Sequence, residues 1–303
     1  MSQTIIITGG KGFVGRHLAM HLAQAKRGVA VVSWDMPEVD ITQPETYLRA
    51  LTELQPTWIV HLAGIAAVGS SLQQPNVVRE VNLEGTRRLL QAVRAVSPNT
   101  RVLAVSSADM YGAAAGVSGD APLTELPLID ARPSNPYGAS KLAMEQMIVD
   151  DFNDIVIRAR PFPHIGPGQG RGFVTADFAS QIAAIERGDQ ALTLQVGNLT
   201  AVRDFTDVRD VVRAYALLLE RGKLGEVYHV ASGQGVSVQS ILDQLLAHSV
   251  IKIEVTQDQA RMRPSEIPVL VGDATKLREV TSWQPEIELE RSLKDILDFW
   301  RRT

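Results

Sequence analysis

The chain has 303 residues, 45% hydrophobic and 21% charged, which excludes wholesale disorder; at about 150 residues per unit it holds two units, or one large α/β unit with an appended lobe. Thirty basic residues against 34 acidic ones give a net charge of −4 and no basic footprint for nucleic acid or anionic lipid, and the absence of cysteine excludes disulfides, thiolate metal sites and a cysteine nucleophile. No run approaches the ~20 apolar residues of a membrane helix, and the first residues enter a predicted strand directly, so the reading is a soluble, cytoplasmic protein with no membrane partner.

In chain order, strands are predicted at residues 4–8, 29–34, 58–62, 101–106 and 155–160, all apolar runs too continuous for a strand with one face in water. Helical patterns fill the intervals at 12–25, 44–54, 75–96 and 136–152. This alternation predicts an α/β fold, a Rossmann-type doubly wound parallel sheet over residues 1–160. Beyond residue 160 the rhythm loosens. A Pro- and Gly-rich loop at 161–172 precedes a helix at 173–187, a strand at 192–196 and a helix from Asp207, which caps it. A strand at 227–230, a helix at 237–248, a strand at 253–256 and a helix at 289–301 follow. Residues 161–303 are therefore expected to form a smaller substrate-binding α/β lobe interleaved with the last strands and helices of the sheet.

The first strand ends in Thr8-Gly9-Gly10-Lys11-Gly12-Phe13-Val14-Gly15, a G-x-x-G-x-x-G loop opening a helix. Gly9 suits a tight turn, Gly12 a close approach to a pyrophosphate, and Gly15 close packing of helix on strand, while the helix N-terminus at Phe13 and Val14 offers N–H groups to the anion. Glycine triplets alone also occur in plain turns. Here Asp35 stands at the end of the second strand, where a carboxylate can bind the adenosine ribose hydroxyls, so strand, loop, helix and acid together specify a dinucleotide site. Asp35 would repel a 2′-phosphate, and Trp34, Met36 and Pro37 bring no cation. NADH is therefore favoured over NADPH. Two readings stay open for Asp40: contact with the adenine amino group, or an N-cap before Pro44.

Tyr137-Gly138-Ala139-Ser140-Lys141 sets a phenol and an ammonium four residues apart on one helix face. A free phenol has a pKa near 10 and needs help at neutral pH; an adjacent Lys141 would favour the phenolate while holding the nicotinamide ribose. Ser106 and Ser107 end the fourth strand, where open α/β sheets bind ligands, and a hydroxyl there can hydrogen-bond the oxygen that Tyr137 protonates.

These motifs, with His61-Leu-Ala-Gly64, Asn82 in Val-Asn-Leu-Glu-Gly-Thr and Ser-Ser-Ala-Asp-Met-Tyr-Gly at 106–112, resemble the extended short-chain dehydrogenase/reductases acting on nucleotide sugars. Arg160-Pro-Phe-Pro-His-Ile-Gly-Pro-Gly-Gln169, Arg203-Asp-Phe-Thr-Asp-Val-Arg-Asp-Val and Arg261-Met-Arg-Pro-Ser-Glu266 are similar to those of the GDP-6-deoxy-D-mannose reductases. The resemblance spans nearly the whole chain. It implies Tyr137 as proton donor, Lys141 as ribose anchor and Ser107 as carbonyl binder, with Ile41, Leu62, Ala63 and Gly64 against the cofactor. It places Asp109 in the sugar pocket, Arg203 and Arg263 on the GDP phosphates, and Glu266 on the GDP ribose. Arginine suits a diphosphate because its planar fork binds bidentately; ion pairing with Asp204 and Glu266 is the competing role. One position departs from the pattern: Pro163 stands where these enzymes usually carry Asn, so no diphosphate role is carried over to it.

Related 4,6-dehydratases place Glu two residues after the catalytic Ser or Thr, as base for the C5 proton. Here that position is Asp109, one methylene shorter, preceded by Ala108, and catalysis is sensitive to errors of ~1 Å in positioning. The reading is thus a reductase of the C4 ketone of GDP-4-keto-6-deoxy-D-mannose, yielding GDP-D-rhamnose, with a dehydratase, a 4-epimerase or a non-enzymatic dinucleotide-sensing module as alternatives. The helices at 75–96 and 136–152 resemble the pair that builds a four-helix homodimer interface in this family; a buried intramolecular face is the competing reading. His17 and His21 share chelating spacing but lack a third partner in their segment, so both are read as core or rim residues and no metal is expected. For His164, nicotinamide contact and a structural hydrogen bond stay open.

Overall fold

A computed structural model describes residues 3–25, 28–66, 68–118, 121–258 and 267–303. The first half runs β1 (Gln3–Thr8), α1 (Phe13–Ala25), β2 (Val29–Trp34), α2 (Leu48–Leu54), β3 (Trp58–His61), α3 (Val68–Gln73), α4 (Pro75–Arg79), α5 (Thr86–Val96), β4 (Arg101–Val105), α6 (Pro136–Asp151) and β5 (Val156–Pro161). The second half runs β6 (His164–Ile165), α7 (Val174–Glu186), β7 (Thr193–Val196), β8 (Val202–Asp204), β9 (Thr206–Asp207), α8 (Val208–Arg221) and β10 (Val227–Val230). It closes with β11 (Gly235–Ser237), α9 (Val238–Ala247), β12 (Glu254–Gln257), β13 (Val269–Leu270), α10 (Thr275–Thr281) and α11 (Leu289–Arg301).

Six strands form one sheet in the order β10-β5-β4-β3-β1-β2, every pair parallel. Alternation along each strand sends side chains to opposite faces. Ile5 and Ile7 pack with Leu18 and Leu22 of α1 and Val211, Tyr215 and Leu218 of α8. Ile6 between them packs on the other face with Leu51 of α2, Leu89 and Val93 of α5, and Met144 and Ile148 of α6. That is why the inner strands read as largely apolar runs, β5 excepted at Arg158 and Arg160. A separate core joins Phe178 and Ile182 of α7, Leu194 of β7, Ile241 and Leu245 of α9, and Leu293 and Ile296 of α11.

The predicted helix at 44–54 is a 3-10 turn at Pro44–Thr46 followed by α2. The one predicted at 75–96 is interrupted: between α4 and α5 the backbone widens to a π-helical turn at Glu80–Gly85. There Asn82 bonds out of the helix to the 65 loop and to α6 rather than lying on a regular face. Strands β6, β8, β9, β11 and β13 have two or three residues each, too few for a period, and α3 and α10 likewise gave no signal.

Under the sheet, Glu145 of α6 and Arg160 of β5 form a bidentate ion pair with both bonds at 2.9 Å, the side chains 0% and 1% exposed. Removing one member leaves the other charge buried without its partner. Glu145→Ala is expected to destabilise the protein by about 3–5 kcal/mol, measured by denaturant unfolding; a loss under 1 kcal/mol would show that Arg160 finds other compensation.

Candidate active site

The loops at the carboxyl ends of β1, β3 and β4 and the start of α6 meet in one place. In the glycine loop, Gly12 N–H donates to the Gly9 carbonyl at 3.0 Å, closing a turn that needs the left-handed φ of +70° found at Gly9. A Cβ on Gly15 would stand 2.2 Å from that carbonyl, whereas one on Gly12 would touch only it, at 3.1 Å. The open side of Gly12 adjoins the first turn of α1, where Phe13, Val14 and Gly15 have N–H groups without intrahelical acceptors. This cradle fits a pyrophosphate.

Asp35 lies beside it and accepts from the Lys11 amide and the Met36 amide, each at 2.8 Å. The expectation of no nearby cation needs correction: Lys11 of the glycine loop reaches this corner, its Nζ 2.6 Å from Glu38 Oε2. Strand residues near Asp35 could not reveal a cation supplied across the β1–β2 crossover. The N-cap reading of Asp40 is corrected: its Oδ1 accepts from the Thr42 amide and hydroxyl, at 2.8 and 2.7 Å, in an Asx turn, and the residue at the N-cap of Pro44–Thr46 is Gln43. Ile41 is buried and would crowd a Cβ on Gly85 at 3.0 Å.

A buried relay ties the β3 loop to the π turn. Ala63 N–H donates to Thr8 Oγ1 at 3.2 Å, and the Leu62 amide to the Thr8 carbonyl, also at 3.2 Å. Thr86 Oγ1 donates to the Asn82 carbonyl at 2.7 Å, so it accepts from His61 Nε2–H at 2.9 Å, and His61 Nδ1 accepts from Thr8 at 2.8 Å. Burial and the Lys141 charge hold the His61 pKa down at about 3, so this imidazole is neutral. The Asn82 amide then clamps the loop, accepting from Ile65 N–H at 2.8 Å and donating to the Ile65 carbonyl at 3.1 Å and to Ser140 Oγ at 2.9 Å. A Cβ on Gly64 would lie 2.8 Å from Asn82 Oδ1 and 3.8 Å from Lys141 Nζ.

Asn135 caps α6, its Oδ1 accepting from the Gly138 amide at 2.8 Å, and Pro136 occupies the first helical position. One turn separates Tyr137 and Lys141, both buried. Lys141 Nζ donates to the Val105 carbonyl at 2.8 Å and stands 6.0 Å from the Tyr137 ring centre. Burial lowers the Lys141 pKa to about 8, against the pull of Glu145. The Tyr137 phenol goes the other way: burial and the Asp109 charge push it above its ordinary value, opposed by a hydrogen bond with Ser107. The phenol thus keeps its proton, as a proton donor must.

Ser107 begins the 3-10 turn Ala108–Tyr111, its Oγ accepting from the Asp109 amide at 3.2 Å. Burial raises the Asp109 carboxyl, opposed by the Arg203 guanidinium. Arg203 donates to the Val202 carbonyl at 2.8 Å and faces Asp109 from β8. Arg263 and Glu266 lie outside the described residues. His164 Nδ1 bonds the Phe162 carbonyl at 3.1 Å while its ring stacks on Phe13, and His17 bonds the Pro167 carbonyl at 2.9 Å. Asp207 caps α8 as expected, accepting from the Arg209 amide at 2.8 Å. Sequence reasoning assigned no role to Lys11, the Asn82–Ser140 clamp or Glu145. A lysine between the loop glycines and a Glu four residues after Lys141 were the signals available.

Fold and constellation define a Rossmann-type enzyme of the extended short-chain dehydrogenase/reductase class. The chain belongs to the GDP-mannose 4,6 dehydratase family, whose model matches residues 32–296. It is 39% identical to the GDP-6-deoxy-D-mannose reductase of Pseudomonas aeruginosa, over 99% of this chain and 98% of that protein. It is 31% identical to the GDP-6-deoxy-D-talose 4-dehydrogenase of Aggregatibacter actinomycetemcomitans, over 91% of this chain and 90% of the other. The solved structure of RMD from Pseudomonas aeruginosa complexed with NADPH superimposes with a TM-score of 0.89 at 38% identity, covering 99% of both chains.

The Asn82 clamp gives a local test. Asn82→Ala strips both partners from Ile65, so the Ile65 amide is expected to lose hydrogen-exchange protection and stability to fall by about 1–3 kcal/mol. Unchanged protection at Ile65 would mean that the loop is held otherwise.

Proposed function

We propose that this protein reduces the C4 ketone of GDP-4-keto-6-deoxy-D-mannose with NAD(P)H, giving GDP-D-rhamnose. The observation that carries the reading is the geometry of one corner: a buried Tyr137 with a buried Lys141 one turn away on α6, its Nζ bonded to the Val105 carbonyl at the end of β4. The relatives named for the GDP-linked reaction and the NADPH complex support it. When bound, the dinucleotide supplies the hydride. Phe13, Val14 and Gly15 would hold the pyrophosphate, Ile41 and residues 62–64 would lie against the dinucleotide, and Lys141 would anchor the nicotinamide ribose. Ser107 orients the ketone oxygen, and Tyr137 delivers its proton to that oxygen as the C4 hydride arrives, so the alcohol forms without a free alkoxide. Asp109 faces the sugar, and Arg203 with Arg263 and Glu266 receives the GDP moiety.

Asp109 also separates this reading from dehydration. It occupies the dehydratase base position but is shorter, and burial raises its carboxyl pKa. We further read the enzyme as a cytoplasmic homodimer pairing through α5 and α6, where Ala139 is exposed and Leu142 and Ala143 are partly so. The working division is a dinucleotide-binding part at 1–160 and a substrate lobe at 161–303.

Tyr137→Phe is expected to retain dinucleotide affinity and lose ~10²–10⁴ in kcat, the usual contribution of a general acid. Near-normal turnover would remove Tyr137 from the role. The reaction itself is tested by supplying GDP-mannose without cofactor, then the keto sugar with NADH or NADPH, while following absorbance and product mass. Cofactor oxidation with a gain of two hydrogens in the sugar supports the reductase; loss of water from GDP-mannose with no cofactor consumed would establish the dehydratase instead.

A further inference from the structure

Glu145 has no task in the proposed reaction, yet it stands one turn beyond Lys141 on α6, and both side chains are buried. Its carboxylate accepts from Arg160 Nε and Nη2, each at 2.9 Å. Arg160 Nη1 donates onward to the Tyr111 hydroxyl at 2.5 Å and to the Leu126 carbonyl at 3.0 Å. On the other side, Lys141 Nζ is held by the Val105 carbonyl at 2.8 Å. Ammonium, carboxylate and guanidinium thus form a buried row of alternating charge. Three further groups complete its surroundings. Arg158 of β5 stands 3.6 Å from Glu145 and also faces Glu226. His61 of β3 is neutral, and Asp109 acts on the Tyr137 phenol.

Charges taken out of water act on one another with little screening. We propose that Glu145 and Arg160 are positioning residues for the reduction: Glu145 is the counter-charge of the Lys141 ammonium, and Arg160 sets how much of that charge Lys141 feels. Burial takes the Lys141 pKa down to about 8, and Glu145 works against that fall. Without the Glu145 charge the ammonium gives up its proton at lower pH, and the ribose anchor weakens with it. Without Arg160 the carboxylate faces Lys141 with less compensation, and the proton is held to higher pH. Arg158 then remains as a cation beside Glu145. This deepens the proposed function and rests on its assignment of Lys141.

The test titrates Lys141 without ligand by NMR of the lysine ε-carbon, with Lys141→Met identifying its signal, and then follows kcat against pH with the keto sugar and NADPH. It uses the unmodified protein, Glu145→Gln, Arg160→Met and the double variant, each checked for native circular dichroism. Glu145→Gln is expected to lower the Lys141 midpoint by roughly one pH unit, and Arg160→Met to raise it by about as much, the scale of one charge at close range. The basic limb of kcat is expected to follow both shifts, with KM for the sugar little changed. A purely structural role would weaken both variants without moving the limb in opposite directions. The double variant leaves neither charge without its partner, an exchange that is often tolerated. Its midpoint is expected to fall below that of the unmodified protein, because Glu145 is the member that acts on Lys141. It therefore decides the matter where Glu145→Gln does not fold. Unmoved midpoints, or shifts of one sign in both single variants, overturn the proposal, as does a basic limb that stays in place while the midpoints move. If the unmodified protein does not reduce the keto sugar, the proposed function fails, and the midpoints still test the charge row by themselves.

Discussion

Glu145 and Arg160 meet through two parallel hydrogen bonds with almost no exposure, and four parts of the molecule are tied at that pair. Glu145 lies on α6 two turns beyond Tyr137 and one beyond Lys141, so the anchor of the helix and its two chemical groups share one stripe. Arg160 on β5 also donates to Tyr111 at 2.5 Å, the residue ending the turn that begins at Ser107. Tyr111 in turn reaches His229 of β10 at 2.5 Å. The proton order follows from chemistry. The Asp273 carbonyl can only accept, so His229 Nδ1 carries the proton and Nε2 accepts from Tyr111, whose oxygen accepts from Arg160. Burial and the Arg160 charge hold the His229 pKa near 3, which keeps that order intact across the working pH range. Replacing a buried ion pair by apolar groups is often neutral in stability. What this pair adds is orientation: it joins helix, turn and two strands in directional bonds that apolar contacts could not supply.

The same burial decides the protonation states above it. A phenol and an ammonium taken out of water both drift towards their neutral forms, one pKa rising and the other falling. Tyr137 holds its proton more tightly and Lys141 drops to about 8, so at neutral pH the lysine still carries its charge and the tyrosine its proton. That pairing suits proton delivery to a developing alkoxide.

The parallel sheet was legible because its inner strands are buried on both sides and read as largely apolar runs, and α1, α5 and α6 between them have a long enough period to declare themselves. Asp207 and the glycine loop were legible for local reasons, since a cap and a turn are fixed within a few residues. The interruption at Glu80–Gly85 was not, because its cause lies in bonds from Asn82 to Ile65 and Ser140, one 58 residues distant in sequence. Lys11 was missed on the same ground. Its amide and ammonium are assigned by Asp35 and Glu38 across a strand crossover, and a reading confined to the neighbours of Asp35 finds no cation.

The second half of the chain reaches the site through comparably directional contacts. Asp204 is fully buried, yet its carboxylate accepts four hydrogen bonds, from the Ser232 amide and hydroxyl at 2.8 and 2.5 Å and from the Gly233 and Gly272 amides at 2.9 and 3.2 Å. Those bonds offset much of the cost of desolvating the group and fix the register of β8. Since successive strand residues point to opposite faces, pinning Asp204 inward turns its neighbour Arg203 outward, towards Asp109. At the other end of the site, Phe13 stacks on His164 and His17 bonds the Pro167 carbonyl, so the start of the glycine-loop helix is itself packed against the loop that follows β5. Contacts to either end of the site are thus carried by the same two segments of the second half. A shift in the loop after β5 would be felt at the pyrophosphate cradle, and a slip of β8 at Asp109 and, through it, at the Tyr137 phenol.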